Sequence, residues 1–467
     1  MQYRVKVAFV YLLGFFIDLL NMFIANIAYP DIGSTFHAGV RELTWVGNAY
    51  LLGLTVVIPL SVWLAARFGD RRVMVLSLSL FALASLAAGF AGSLGVLIAV
   101  RFVQGAAGGL LIPVGQAMTY RHYPASERAG LASIIMCVAL IVPATSPTLG
   151  GILVDHMSWR WIFWLNIPLA VLDLLLALWW LRPDDTRTGH PFDTAGFALG
   201  SAAIAALLVG LSELGDSGGR MLGAALLVVA AVTGALFVRR SSNVAVPLLK
   251  LGLLKERMLA TSMVMYHFVP GIFTGTNVIL IIYLQQRLSL SATATGMLMI
   301  PWAVASALAI VVTRAVFNRV GPKLLFIAGM LAESVGLALL FTVVSSADRL
   351  LLIGAFVLMG LGGSLTSSAA QSAAFLETSA DDLGHASALW NINRQASFAV
   401  GVAVVALVFD TLSAIPGITS SGSDSAFRWS FIAAAVLTLL PAPLVLRLAP
   451  SSSFRRALGR NPQTVRS

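Results

Sequence analysis

The chain has 467 residues, of which 58% are hydrophobic and 11% charged, and its mean hydropathy is +0.89. Soluble globular proteins carry about 25% charged residues, so a water-soluble fold is excluded and a polytopic membrane protein is expected. The net charge of +10 sits between apolar runs and does not form a nucleic-acid footprint, and a single cysteine, Cys137, excludes both an intrachain disulfide and a thiolate metal cluster.

Hydrophobic runs fall at about 7–28, 44–65, 73–91, 96–119, 128–152, 159–181, 194–214, 219–239, 258–285, 292–314, 323–345, 349–375, 385–411 and 426–448. They predict fourteen membrane-spanning helices and an all-α fold, because barrel strands would be short and alternating. The first run follows Arg4 and Lys6, is too long for a signal peptide and has no small-residue cleavage site before Pro30, so it is read as span 1. With the amino terminus inside, 22 of the 30 Lys and Arg residues are cytosolic, 6 lie outside, and Arg101 and Arg394 lie within spans. That bias is the positive-inside rule, and an even number of spans returns the basic tail to the cytosol. Both termini are therefore expected in the cytosol, with the lipid bilayer as partner and no nucleic acid.

Span 1 carries an acid, Asp18, in the stretch LLGFFIDLLNMFIANIAYP at 12–30. An ionisable group in hydrocarbon costs roughly 3 kcal/mol or more and normally faces the bundle interior. At 100° per residue, Gly14, Asp18, Asn21, Ala25 and Ala28 fall within an arc of roughly 80°, which makes one small, polar helix face.

An internal repeat organises the rest. RFGDRRV at 67–73 and NRVGPKL at 318–324 place Arg67 and Arg319 at an offset of 252, and GGLLIPVGQA at 108–117 echoes GGSLTSSAAQ at 362–371 at an offset of 254. Two six-helix halves need an offset of about 200 residues, and the pair of runs at 194–239 supplies the excess. The expected plan is an N-terminal half (1–182), a linker with two extra spans (183–257), a C-terminal half (258–448) and a basic tail (449–467).

The motifs along this plan resemble those of the major facilitator superfamily, and specifically its fourteen-helix drug:proton antiporter subfamily, in its MdtD-like branch. SVWLAARFGDRR at 61–72 resembles the loop 2–3 motif, LIAVRFVQGAAGG at 97–109 the motif around a membrane arginine in span 4, and VPATSPTLGG at 142–151 the antiporter motif of span 5. SWRWIFWLNIP at 158–168, FDTAGFALG at 192–200, PLLKLGLLKERM at 247–258 and YLQQRLSLSATATGMLMIP at 283–301 resemble the fourteen-helix group. The resemblance implies a gating loop at Arg67, Gly69, Asp70 and Arg71, and a kinked span 5 at Pro143, Pro147, Gly150 and Gly151. It also implies a bacterial cytoplasmic (inner) membrane location, and it neither requires nor excludes a periplasmic adaptor or outer-membrane channel.

The departures carry information. Val62 and Ala66 replace the usual glycine and acid of the loop 2–3 motif, so Asp70 is either the substitute for that acid or a solvated surface charge. In span 5, Cys137 and Ser146 replace glycines. In span 1 the acid usual five positions before Asn26 is Asn21, and Asp18 lies one turn earlier on the same face.

By residue count, Asp18 and Arg101 on neighbouring spans are near enough in depth for long side chains to meet, so a proton-coupling pair is expected. Burial favours a neutral carboxyl group and a guanidinium favours a charged one, which makes such a pair a proton switch. Two other accounts stand beside it: Asp18 permanently paired with Arg101 as a structural acid, or Asp18 protonated and packed. Asn21, Ala25, Gln104, Asn391 and Arg394 are candidate substrate-cavity residues, with snorkelling as the alternative for Arg394. Asp173 and Glu333 lie near the midplane of spans 6 and 11, which the resemblance places at the periphery, and are either structural hydrogen-bonders or second proton sites; His267 is either another such site or a satisfied core histidine.

The energy source follows from what is absent. None of the four lysines follows glycine, so the GxxxxGK[ST] phosphate loop is missing, and no catalytic or metal-ligating spacing occurs. An ion gradient suffices, since at about 150 mV one charge is worth roughly 3.5 kcal/mol. The expectation is a non-enzymatic, proton-coupled exporter of small amphipathic drugs or toxic compounds, with no cofactor besides the proton gradient. Export of a metabolite or metal chelate, with Arg101 and Arg394 as anion contacts, is the second reading, and a non-transporting sensor or scaffold the third.

Overall fold

The computed structural model describes residues 2–183, 191–214, 219–290, 292–415 and 424–448. The basic tail 449–467, Arg187 and the side chains of Asn26, Arg41 and Pro147 lie outside the described residues.

The apolar runs are helices, and their breaks fall where the sequence supplies a reason. α1 (Tyr3–Ile24) passes through a 3₁₀ turn at Ala25–Ala28 into a short α2 (Tyr29–Phe36), where Pro30 sits in the first turn and needs no N–H partner. α3 (Val40–Phe68), α4 (Asp70–Gly89), α5 (Leu94–Arg121) and α6 (Ala125–His156) follow, then α7 (Trp161–Trp164) and α8 (Asn166–Trp180), which together make span 6. α9 (Thr194–Leu214) and α10 (Arg220–Asn243) form a hairpin. Span 9 is α11 (Arg257–Tyr266) and α12 (Ile272–Ile282), joined by a π-helical turn at His267–Gly271. Pro270 in that turn has no N–H to give the helix ladder, an ordinary cause of such a bulge.

Thirteen of the described helices are long and apolar enough to cross a bilayer. One of them, α13 (Ala292–Leu339), is broken at Gly321 by a φ of 75° and ψ of 171°, so it supplies two spans and the total is the expected fourteen. α14 (Arg349–Ala373), α15 (Leu383–Ser413), α16 (Ser425–Leu439) and the short α17 (Ala442–Leu446) complete the chain. Gly69, between α3 and α4, has a φ of 90° and ψ of 149°, and it lies 252 residues before Gly321. The echo in the sequence is thus an echo in backbone conformation, at two positions that a side chain would strain.

Both described chain ends lie at one end of the bundle, here called the base. Arg4 pairs with Glu127 at 2.7 Å, Asn318 donates to the Ser126 carbonyl at 2.8 Å, and Lys323 donates to the Leu446 carbonyl at 2.6 Å. The α9–α10 hairpin straddles the two groups of spans. Ser201 donates to the Val56 carbonyl of α3 at 3.0 Å, whereas Arg220 pairs with Asp410 of α15 at 2.5 Å.

Candidate functional site

The polar face of α1 is buried as its angular spacing predicts, with Asp18 1% and Asn21 0% exposed; Ala25 and Ala28, which lie past the end of α1 in the 3₁₀ turn, are also 0% exposed. Three neighbouring helices enclose it. α3 approaches α5 closely because the Tyr50 and Leu54 backbone rests directly on Gly105 and Gly109. Gly108, one position away, leaves the room that the Asp18 carboxylate occupies, and any side chain there would collide with it.

Within this enclosure the Tyr50 hydroxyl donates a short hydrogen bond to Asp18 Oδ1. Arg101, fully buried, donates from Nε to the Val46 carbonyl (3.1 Å) and from Nη1 to Asn21 Oδ1 (3.0 Å) and Gln104 Oε1 (2.8 Å). Its guanidinium carbon lies 4.3 Å from the Tyr50 ring centroid, within cation–π range. Gln104 passes the chain on by donating to Ser85 Oγ at 2.7 Å, and Asn166 of α8 reaches Asn21 Oδ1 at 3.4 Å. The direct Asp18–Arg101 pair expected from depth therefore does not form. Tyr50 stands between them, hydroxyl to the acid and ring to the guanidinium.

None of the residues of this network lines the cavity described below. Asn21, Ala25 and Gln104 are interior residues of the first six spans. Asn391 and Arg394 belong to the seam between the two groups of spans. Gln116 Oε1 on α5 accepts from Ser387 Oγ (2.6 Å) and Asn391 Nδ2 (2.8 Å) on α15, and Gln371 donates to the Tyr120 hydroxyl at 3.2 Å. Arg128 donates to the Phe375 carbonyl, and Arg394 reaches across to the Phe15 ring, 5.2 Å from its centroid, instead of snorkelling. The Gln116, Gln371 and Arg128 contacts lie toward the base, around a common apolar core that includes Tyr120, Phe375 and Trp390. On the opposite side a cavity of about 280 Å³ opens between α1, α3, α9, α12 and α15, lined by Met22, Asn48, Thr274, Gln395 and Phe398 among others. Neither Arg101 nor Arg394 lines it.

The other candidates fall as follows. Asp70 is 8% exposed and pairs with Arg121 at the end of α5, so it is not a solvated charge; a Cβ on Gly384 of α15 would lie 3.7 Å from that Arg121 guanidinium. Arg67 is exposed, and Arg71 donates to the Leu178 carbonyl at 2.7 Å, tying the loop to α8. Gly150 packs against Ile24, but nothing lies within 4 Å of a Cβ on Gly151, so close packing does not require that glycine; Pro143 is half-buried. His267 is bonded to Asn393 Oδ1 at 3.0 Å, the satisfied core arrangement. Glu333 and Asp173 are 0% exposed, and their carboxylate oxygens have no hydrogen-bond partner among the described residues. Asp173 is closer to Asp18 than its peripheral span implied, with Oδ2 3.2 Å from a Cβ built on Gly14, one turn before Asp18.

Tyr50 and Gln116 are not evident from the sequence. An aromatic residue and an amide inside apolar runs carry no periodic signal, and only the neighbours they meet reveal them.

The profile of the Major Facilitator Superfamily matches residues 11–255 and 259–463. The chain belongs to the major facilitator superfamily. It is a multi-pass membrane transporter and not an enzyme. The chain is 31% identical over 401 residues to the multidrug resistance protein Stp of Mycobacterium tuberculosis (strain CDC 1551 / Oshkosh), covering 85% of this chain and 74% of that one. It is 29% identical over 436 residues to the uncharacterized transporter YebQ of Escherichia coli K12, covering 92% of each chain. A putative multidrug resistance protein, MdtD of Salmonella heidelberg (strain SL476), is 26% identical over 467 residues, with 97% of each chain covered. Among solved structures, the human organic anion transporter MFSD10 superposes with a TM-score of 0.65 at 17% identity, over 95% of this chain and 100% of that one, a likeness of fold.

Proposed function

We propose that this major facilitator protein is a proton-coupled exporter of small amphipathic compounds, working by alternating access in the bacterial cytoplasmic membrane with both termini in the cytosol. One observation carries the reading: a carboxylate that is 1% exposed, inside the first six spans, with one side-chain donor among the described residues and a fully buried arginine on the far side of that donor. A charge kept there is expensive, and a group that gains and loses a proton as the spans move has a use for it. The relatives named for multidrug resistance support the substrate class, and the basic residues around the base support its cytosolic side.

In this account the conformer described here is closed to the cytosol by the Gln116 and Arg128 contacts and holds its cavity toward the outside. Rocking of the two groups of spans breaks that seam, opens the base and moves α3 against α1, which changes how Tyr50 meets Asp18. Asp18 then exchanges a proton once per cycle, with Tyr50, Arg394 and Arg101 setting the charge it faces. Reconstitution into proteoliposomes tests this: an inward-directed proton gradient should drive substrate uphill in the opposite direction, and uphill transport that persists with the gradient collapsed by a protonophore would dismiss proton antiport.

A further inference from the structure

At the base, on the perimeter of the first six spans, a second cavity of about 500 Å³ opens between the starts of α1 and α4 and the end of α8. Tyr3, Lys6, Arg71, Trp179, Trp180 and Arg182 line it, three cations and three aromatic residues, with no carboxylate in the lining among the described residues. The Lys6 ammonium lies 5.9 Å from the Trp180 ring centroid and the Arg182 guanidinium carbon 4.6 Å from that of Tyr3, so each cation is held by a ring face. The Tyr3 hydroxyl accepts from the Arg182 backbone N–H at 3.2 Å, and Arg71 donates to the Leu178 carbonyl at 2.7 Å, which ties α1 and α4 to the end of α8. Lys6 and Arg182 have neither an ion pair nor a side-chain hydrogen bond among the described residues. Asp184 and Asp185, next in the chain after Pro183, lie outside the described residues, and the three cations outnumber them.

The cavity sits at the end of an apolar stripe. Val171, Leu172, Leu175, Leu178 and Trp179 share one face of α8, and all five are exposed. In a chain that spans a bilayer such a face meets acyl chains, and Trp179, 75% exposed at the base end of the stripe, stands where headgroups begin. We infer that this cavity binds the headgroup of an anionic phospholipid, with Lys6 and Arg182 on its phosphate oxygens and its acyl chains along the α8 stripe. Charge complementarity selects an anion, and guanidinium and ammonium groups are the side chains suited to phosphate. The continuity of the cavity with the apolar stripe selects a lipid over a soluble phosphate, and basic pockets between membrane helices take anionic headgroups in this way. A lipid seated here touches α1, α4 and α8 together, and so braces the loop between α3 and α4 through Arg71.

Native mass spectrometry of the full-length chain, delipidated in detergent, tests the site with phosphatidylglycerol and phosphatidylcholine of matched acyl chains. Wild type should bind phosphatidylglycerol at least about 10-fold more tightly, and Lys6→Gln combined with Arg182→Gln should reduce that preference to less than about threefold. Trp179→Glu changes an exposed position and sets an acid at the cavity mouth. It should weaken phosphatidylglycerol and spare phosphatidylcholine, and it serves if the double variant folds poorly. Arg67→Gln, exposed at the base but outside the cavity, should leave the preference unchanged, and millimolar inorganic phosphate should not displace the lipid. Wild-type preference in the double variant or in Trp179→Glu, an equal loss in Arg67→Gln, or displacement by inorganic phosphate would each overturn the inference, the last by showing a site for soluble phosphate.

Discussion

Gln116→Ala should shift the protein toward the conformer open at the base. Gln116 Oε1 accepts two hydrogen bonds across the seam, from Ser387 Oγ at 2.6 Å and Asn391 Nδ2 at 2.8 Å, and all three side chains are at most 2% exposed. Each neutral hydrogen bond contributes about 0.5–1.5 kcal/mol net, so the pair contributes about 1–3 kcal/mol to the closed conformer. When the base opens, water can satisfy Ser387 and Asn391, so the loss falls mainly on the closed side of the equilibrium. The ratio of closed to open conformers should therefore fall about 5- to 150-fold. The assay is a distance measurement between spin labels at Arg72→Cys and Ala380→Cys, both exposed at the base, in a Cys137→Ser background. A distance distribution unchanged by Gln116→Ala, with the wild type showing both populations, would refute the assignment of these contacts as the closing seam.

Three further outcomes follow from the geometry. Gly69→Ala and Gly321→Ala place a side chain at φ of 90° and 75°, and each should cost about 1–3 kcal/mol, read as a lowered melting temperature in detergent. Gly108→Val should abolish transport while Gly151→Val is tolerated, since the first displaces Asp18 and the second meets nothing within 4 Å. At the base, outside the spans, the hydrogen bond from Lys250 (2.6 Å) holds the Asp382 carboxyl below its usual range. Its stabilising contribution is present above the ordinary aspartate range and is lost as pH falls through the depressed value. In Lys250→Ala the carbon-13 titration of Asp382 should move up toward the ordinary range.

How much of this was legible in the sequence depended on whether a signal is local. Hydropathy located the spans, and the repeat at 67–73 and 318–324 anticipated two turns that share a left-handed glycine. The α1 face was legible because Gly14, Asp18 and Asn21 recur at helical spacing and all are buried. Residue counting gave the depth of Asp18 and Arg101 correctly enough to bring them near each other, but depth carries no rotation about the helix axis. Arg101 points to Val46, Asn21 and Gln104, and Tyr50 fills the gap that an ion pair was expected to close. The cavity between the two groups of spans was the least legible feature, because its lining comes from five helices. Asp70 shows the same limit: its partner, Arg121, is 51 residues away and ends a different helix.

The central claim is that Asp18 carries the coupled proton, and substrate flux with Asp18→Asn in proteoliposomes tests it most directly. Asparagine keeps the shape of the group and its acceptor oxygen for Tyr50 but cannot release a proton. The account predicts that uphill export driven by a proton gradient is lost while exchange of labelled for unlabelled substrate at equilibrium, which needs no net proton movement, continues. Proton-driven uphill export by Asp18→Asn at the wild-type rate would contradict it.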